Sequence, residues 1–183
     1  MAEFERKIPD GDTRERRVCR DCGHIDYQNP KIVAGAVVAH DGKVLLCKRA
    51  IEPRLGYWTL PSGYMELGES VAEGAAREVM EEAEAAITME GLLAVYSIAR
   101  IGQVQLIYRA HFANPANPHF APGPESQEVG LFAWPDIPWD HLAFPTVKWA
   151  LDAWRANQDG PIGAPAGNPP QDPHGRIRPQ SVV

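Results

Sequence analysis

The chain has 183 residues, a formal net charge of −6 and 44% hydrophobic residues, which is ordinary for a soluble protein of one domain with a tail. The acidic balance argues against nonspecific nucleic-acid binding, and the absence of a long apolar run argues against a membrane anchor or secretory signal. Three cysteines are too few for a disulfide framework, so we expect a cytoplasmic protein.

A Cys-x-x-Cys pair, Cys19 and Cys22, marks an N-terminal extension that we place at residues 1–30. Structural zinc takes four ligands, and no cysteine precedes Cys19. Three interpretations stay open: a turn without metal, a zinc site completed by His24 or by a second subunit, or redox chemistry.

Two β-rich stretches follow at 31–40 and 44–49, and Asp41-Gly42 predicts a hairpin turn between them. A short strand at 57–61 then leads to a glycine-rich turn. Arg49 and Arg54 flank this region and are candidate phosphate contacts, although an exposed arginine more often only faces solvent.

Good helix formers begin at Val71, with Ser70 as a plausible N-cap and Glu73 at the spacing of a capping box. Apolar residues recur every fourth position, so one stripe of this helix is expected to be buried. That stripe consists of Val71, Ala75, Val79 and Ala83.

The same helix places three carboxylates, Glu78, Glu81 and Glu82, on one face. Like charges at this spacing repel one another. Either the face is simply solvated, or a divalent cation neutralises it, since hard oxygen ligands suit Mg²⁺ or Mn²⁺.

The spacing of the whole segment resembles the box of the Nudix hydrolase family. The positions that carry the resemblance are Gly63, Glu69, Arg77-Glu78-Val79 and Glu81-Glu82. The resemblance implies the family fold, an α/β/α sandwich around a mixed sheet, over residues 31–156. The alternation of strands with a long helix and a closing helix favours the same α/β or α+β class.

The resemblance also implies chemistry: metal-dependent hydrolysis of a nucleoside diphosphate linked to another group. The expected metal ligands are the Gly63 carbonyl and the carboxylates of Glu78, Glu81 and Glu82. Arg77 is expected to hold Glu69 and the helix in place. One position departs from the family pattern, because Glu84 stands where the box has glycine, so the helix either runs further or ends in a strained turn.

Two further strands are predicted at 92–98 and 104–112, and Tyr96 or Tyr108 is a candidate for stacking on a substrate ring, although strand aromatics more often pack in the core. The proline-rich loop 114–126 is long enough to suggest a function. In the family, a glutamate just before the next strand often completes the metal site or acts as the base. Glu128 matches that place best, and Glu125 is the reserve.

A closing helix is predicted within 142–154, and residues 157–183, rich in proline and glycine, are predicted to be disordered or swapped onto a partner. The Cys19–Cys22 pair and the segments 51–54, 122–126 and 142–145 resemble a Nudix subgroup with a zinc-ribbon extension, whose members cleave FAD or ADP-ribose and release AMP. The alternatives are an NADH pyrophosphatase and a non-catalytic ADP-ribose sensor. The family resemblance also suggests a homodimer, with a small nucleoside diphosphate derivative rather than a nucleic acid or a membrane as ligand.

Overall fold

The computed structural model describes residues 2–178. Within them lie ten strands and two α-helices: β1 (Phe4–Lys7), β2 (Arg16–Cys19), β3 (Ile25–Asp26), β4 (Lys31–His40), β5 (Lys43–Arg49), β6 (Trp58–Thr59), β7 (Ser62–Tyr64), α1 (Val71–Ala83), β8 (Ile87–Ile98), β9 (Gln103–Phe112), β10 (Ser126–Ala133) and α2 (Pro145–Asn157). Neither of these helices has the length and apolar run needed to cross a membrane. The contacts divide the chain into two compact units, residues 1–30 and residues 31–183.

The N-terminal unit is a three-stranded antiparallel sheet in the order β1-β2-β3. Asp12 closes the turn after β1, because its carboxylate accepts hydrogen bonds from the backbone N–H groups of Thr13 and Arg14 and pairs with Arg16 at 2.8 Å. Strand ladders and surface ion pairs therefore hold this unit together.

The second unit contains a mixed seven-stranded sheet in the order β10-β5-β4-β9-β8, with β6 paired to β5 and β7 to β4. Strands β4 and β9 run parallel, and the other ladders are antiparallel. The predicted turn at Asp41-Gly42 is confirmed, with φ of 48° and 72° at its two residues. Two positive φ values are what a two-residue hairpin turn of this twist requires.

Each face of this sheet is covered by one helix. In β4, the alternate residues Ala36 and Val38 pack with Val79 of α1, whereas Val37 packs with Leu151 of α2. Successive side chains of a strand point to opposite faces, so one strand contributes to both layers. The α/β/α sandwich expected from the sequence is confirmed.

Both predicted ends of α1 can be traced to particular residues. The Ser70 hydroxyl accepts from the Glu73 N–H at 3.3 Å, and the Glu73 carboxylate accepts from the Ser70 N–H at 2.7 Å, which confirms the capping box. At the other end, Glu84 lies in the left-handed region with φ 48° and ψ 31°, and its N–H donates to the Met80 carbonyl. Of the two alternatives for this position, the strained turn is the one observed.

The Glu84→Gly substitution is expected to raise the free energy of unfolding by about 1 kcal/mol, because glycine adopts a left-handed conformation without the Cβ clash. The measurement is urea unfolding followed by circular dichroism. The matched control is Glu84→Ala, which keeps the Cβ atom and should bring no comparable gain. Equal midpoints for Glu84→Gly and the parent chain would contradict the prediction.

The segment after α2 differs from its prediction. Residues 159–178, which we call the C-terminal strap, lie beside β8, where Ala166 pairs with Ala94 and exchanges backbone hydrogen bonds with Leu93 and Val95. The prediction of disorder is wrong for this part, since β8 is a sheet edge whose unpaired backbone groups bind a segment that has no core of its own. Residues 179–183, included in that prediction, lie outside the described residues.

Candidate active site

A cavity of about 730 Å³ opens in the second unit, a volume suited to a nucleotide-sized ligand. Carboxylates of Glu78, Glu81, Glu82 and Glu125 form part of its lining. Another part is apolar and aromatic. The apolar lining includes Val33, Ile98, Ile107, Phe144, Val147 and Trp149.

Glycines bring the strands close enough to α1 to form the carboxylate part. A Cβ atom on Gly63 would lie 2.2 Å from Glu78 Oε2, so only glycine leaves room for that side chain. A Cβ atom on Gly35 would lie 2.3 Å from the Cβ of Ser62, so Gly35 lets the β6–β7 connection cross β4. The Ser62 N–H thereby reaches Glu82 Oε2 at 3.3 Å.

Arg77 organises the exposed side of this cluster. Its guanidinium makes two hydrogen bonds to Glu69, at 3.0 and 2.9 Å, and donates to the Tyr64 carbonyl. It also binds Glu78 at 2.8 Å and Glu81 at 2.9 Å. The contact with Arg77 lowers the pKa of Glu69 to about 2, so Glu69 is ionised whenever the site is folded near neutral pH.

Glu78 and Glu82 lie in a different environment, since both are buried. Burial raises the pKa of Glu78, and it raises the pKa of Glu82 to about 8. Glu82 makes no ion pair among the described residues, and its carboxylate accepts only the Ser62 N–H. A buried carboxylate that makes no ion pair is unfavourable, and a cation beside it would remove that cost.

The donor set fits a hard divalent cation, because every candidate ligand is an oxygen atom. Over residues 2–178, no three His, Cys, Asp or Glu side chains converge into a metal cluster. At this site the carboxylates do not converge because they have different partners. Glu78 and Glu81 accept hydrogen bonds from Arg77, whereas Glu82 accepts one from the Ser62 N–H. A metal ion would therefore compete with Arg77 for two of the three carboxylates.

The proline-rich loop before β10 is fastened to the end of α1. The N–H groups of Ala121 and Gly123 donate to the carbonyls of Ala83 and Glu82, at 2.9 and 3.1 Å. Helix C-termini leave such carbonyls without partners, so the loop satisfies them. This attachment brings Glu125, two residues further on, into the lining of the cavity.

Gly123→Ala is expected to lower the free energy of unfolding by roughly 2 kcal/mol or more, because the new Cβ would lie 1.7 Å from the Glu81 carbonyl oxygen. The displaced loop should also reduce turnover by moving Glu125. Chemical unfolding and a turnover assay together measure both effects. The control is Gly163→Ala, where nothing lies within 4 Å of the added atom and stability should hold.

Glu128, the predicted catalytic and metal-binding glutamate, does not line the cavity. Its side chain is 61% exposed and lies 3.5 Å from Lys48, its partner in the β10–β5 ladder. Lys48 is two residues from Leu46 in β5, so the two side chains point to the same face of the sheet, and Leu46 packs on the α2 side. Glu128, opposite Lys48 in the ladder, is therefore on the face away from α1. The reserve residue, Glu125, lines the cavity instead.

Of the weaker substrate-binding candidates Arg49, Arg54 and Tyr96, only Arg49 is in the described lining of the cavity. Arg49 lines the cavity, where its Nε donates to the Pro53 carbonyl and its guanidinium lies over the Phe144 ring. Arg54 lies over the Tyr57 ring and is not part of the described lining. Tyr96 is 1% exposed and packs edge-on against Trp149, so its prediction as a substrate contact is wrong.

Sequence reasoning missed several lining residues on and around β9. Gln105 donates to Gln103, and Gln103 donates to the Tyr64 hydroxyl, which forms a chain of amides along the cavity. Arg100 and Trp149 also line it. The available signal was the pair of glutamines at alternate positions, 103 and 105, at the start of a strand whose next residues are largely apolar.

In the N-terminal unit, Cys19 is a buried thiol and Cys22 an exposed one. Backbone N–H groups of Cys22 and Asp21 lower the pKa of Cys19. A structural zinc site needs four ligands, and no group of three candidate side chains exists in the described part of this chain. The donors of one chain therefore do not fit structural zinc, and completion by a second subunit stays a prediction.

Comparisons with known proteins agree with this geometry. The family model described as the NUDIX domain matches residues 29–150, well over half of the chain. A second model, described as Nudix N-terminal and belonging to a zinc-ribbon family, matches residues 2–28. A crystal structure of a NUDIX hydrolase from Nitrosomonas europaea is 43% identical, with a TM-score of 0.82, and the match covers 91% of this chain and 92% of that one.

Curated relatives match over shorter stretches. An ADP-ribose pyrophosphatase of Methanocaldococcus jannaschii is 38% identical over 71 residues, which cover 39% of this chain and 42% of the relative. A MutT-like protein of Streptomyces ambofaciens is 42% identical over 77 residues, which cover 42% of this chain and 48% of the relative. The chain thus spans less than half the length of these two curated relatives.

Proposed function

The chain belongs to the Nudix family, and from this premise we propose that it hydrolyses the pyrophosphate bond of FAD or ADP-ribose and releases AMP. The reaction consumes one water: its oxygen joins a phosphorus atom and the P–O bond of the bridging oxygen breaks. The products are AMP with FMN from FAD, or AMP with ribose 5-phosphate from ADP-ribose.

One observation supports this proposal above the others. The carboxylates of Glu78, Glu81, Glu82 and Glu125 and an apolar, aromatic surface line the same cavity of about 730 Å³. A dinucleotide-type pyrophosphate combines a doubly charged centre with flat ring systems, so it presents complementary chemistry to both parts of the cavity.

We assign the metal site to the carboxylates of Glu78, Glu81 and Glu82 and the carbonyl of Gly63. When bound there, Mg²⁺ or Mn²⁺ would neutralise the pyrophosphate oxygens and lower the pKa of a coordinated water. Arg77 holds α1 against the turn that carries Glu69, through its two hydrogen bonds to the Glu69 carboxylate and its bond to the Tyr64 carbonyl.

Glu125 is assigned as the general base. It is exposed and lines the cavity with Glu78 and Glu82, and its negative charge adds to the rise in their pKa values that burial causes. A base here would accept the proton of the attacking water. Arg49 is the assigned phosphate contact, since it lines the same cavity and its positive charge acts to lower the pKa of Glu82.

Product analysis by chromatography tests the proposal, with excess Mg²⁺ and with FAD, ADP-ribose, NADH and a nucleoside triphosphate offered side by side. We expect AMP with FMN, or AMP with ribose 5-phosphate. Fastest cleavage of NADH would select the NADH pyrophosphatase alternative. Binding of ADP-ribose without cleavage of any compound would select the sensor alternative. Sedimentation of the same preparation measures the proposed homodimer.

A further inference from the structure

The C-terminal strap is anchored along β8, and at its start by Arg109 of β9, through contacts spread over its length. Arg109, itself buried, donates to the carbonyls of Asn157 and Gly160 where the strap begins. Ile162 then packs over Gly91 of β8. A Cβ atom on Gly91 would lie 3.0 Å from Ile162 Cδ1, so the two residues are in close contact. The strap is thus a fixed part of the fold up to its central bridge at Ala166.

Two polar side chains fix the second half of the strap. The Asn168 side chain accepts from the Ser97 N–H at 2.8 Å and donates to the Ser97 carbonyl at 2.9 Å, so it replaces a strand partner on β8. Asp172 is 4% exposed, and its carboxylate accepts from the N–H groups of Arg176 and Ile177, at 2.6 and 2.8 Å. These bonds set the path of the chain between positions 172 and 177.

That path ends in the wall of the candidate active site. Gly175 and Ile177 line the cavity together with the four carboxylates. A Cβ atom on Gly175 would lie 2.4 Å from the Ser97 carbonyl oxygen, so the strap passes as close to β8 as a glycine permits. Ile177 remains 50% exposed, which leaves an apolar side chain open to the cavity.

Four further residues that line the same cavity as Ile177 indicate what it accepts. Ile98 and Trp149 contribute apolar and aromatic surface, and Gln103 and Gln105 contribute amide groups. Flat apolar surface beside amide donors and acceptors is the environment that binds a planar heteroaromatic ring, by stacking and by hydrogen bonds to its edge.

We propose that the C-terminal strap is a specificity element of this site: Ile177 contacts a planar ring of the substrate, and Asn168 and Asp172 are positioning residues that hold the contact in place. The inference rests on the proposed function for the identity of the substrate. It adds that recognition of the ring depends on a segment outside the sheet and helices that carry the carboxylates.

The test compares Ile177→Ala and Asp172→Ala with the parent chain, using FAD and ADP-ribose. Each variant is expected to raise KM about tenfold for at least one of them while kcat stays within about twofold, since the lost contact is made equally in ground and transition states. Asp172→Asn keeps one oxygen acceptor and should restore part of the affinity. His174→Ala, an exposed change in the same strap that does not line the cavity, should match the parent.

Binding of FAD measured by flavin fluorescence gives a second readout that needs no turnover. If the parent chain cleaves neither compound, the proposed function fails, and weaker FAD binding in Ile177→Ala would still support the strap contact. If the parent cleaves them and Ile177→Ala leaves KM and FAD affinity unchanged for both, the inference is overturned. A fall in kcat alone would also overturn it, because it would place the lost interaction in the chemical step rather than in binding of the ring.

Discussion

Glu82→Gln is expected to lower turnover by a factor on the order of 10² to 10⁴ while the protein stays folded. Glutamine keeps the size of the side chain but removes the charge that would bind a divalent cation. The metal-free variant should be at least as stable as the parent, because Glu82 is a buried carboxylate without an ion-pair partner in residues 2–178. Turnover is measured at saturating substrate and Mg²⁺.

Melting temperatures provide a readout that is independent of turnover. Excess Mg²⁺ should raise the melting temperature of the parent over that in chelator, and this rise should shrink in Glu82→Gln. The control is Glu84→Gln, the same chemical change two residues away at an exposed position outside the cavity lining. Near-normal turnover in a folded Glu82→Gln variant would remove the metal assignment.

Glu125→Gln is expected to lower kcat by about 100-fold, the lower range for loss of a general base. Glu125 lines the cavity, and the loop that carries it is attached to the end of α1. Glu128→Gln provides the matched comparison, since it changes the same residue type three positions along the chain. Its exposed side chain pairs with Lys48 away from the cavity, so kcat should stay within about twofold.

The two variants are measured in one assay with one substrate. A large loss in Glu128→Gln with little effect in Glu125→Gln would reverse the assignment and restore the prediction made from the sequence. Circular dichroism of both variants checks that the fold is intact. Equal, small effects in both would leave neither glutamate as the base and would move that role to Glu78 or Glu81.

Local patterns in the sequence predicted α1 correctly. The Ser70–Glu73 capping box and the buried residues Ala75, Val79 and Ala83 all depend on spacings of three or four residues within one helix. The hairpin turn at Asp41-Gly42 is equally local. The family spacing likewise predicted the fold, which the comparisons confirm.

The choice between Glu125 and Glu128 could not be made from the sequence. Both lie near the start of β10, and a register shift between Ser126 and Glu128 changes which side chains face which layer of the sandwich. One extra residue in a strand is enough to exchange the two faces. That shift is a property of the pairing with β5, which is about 80 residues away in sequence.

The C-terminal strap and Tyr96 also show the difference between what local sequence determines and what tertiary contacts determine. The sequence by itself determined the helix, its N-cap, its row of carboxylates and the alternation of the strands, because each depends on neighbours within one turn or one pleat. Only the tertiary structure decided that Tyr96 is core and that residues 159–178 are ordered, because β8 places its side chains between layers and offers a free edge to a distant segment. Interactions between segments far apart in the chain have no signature in either segment alone.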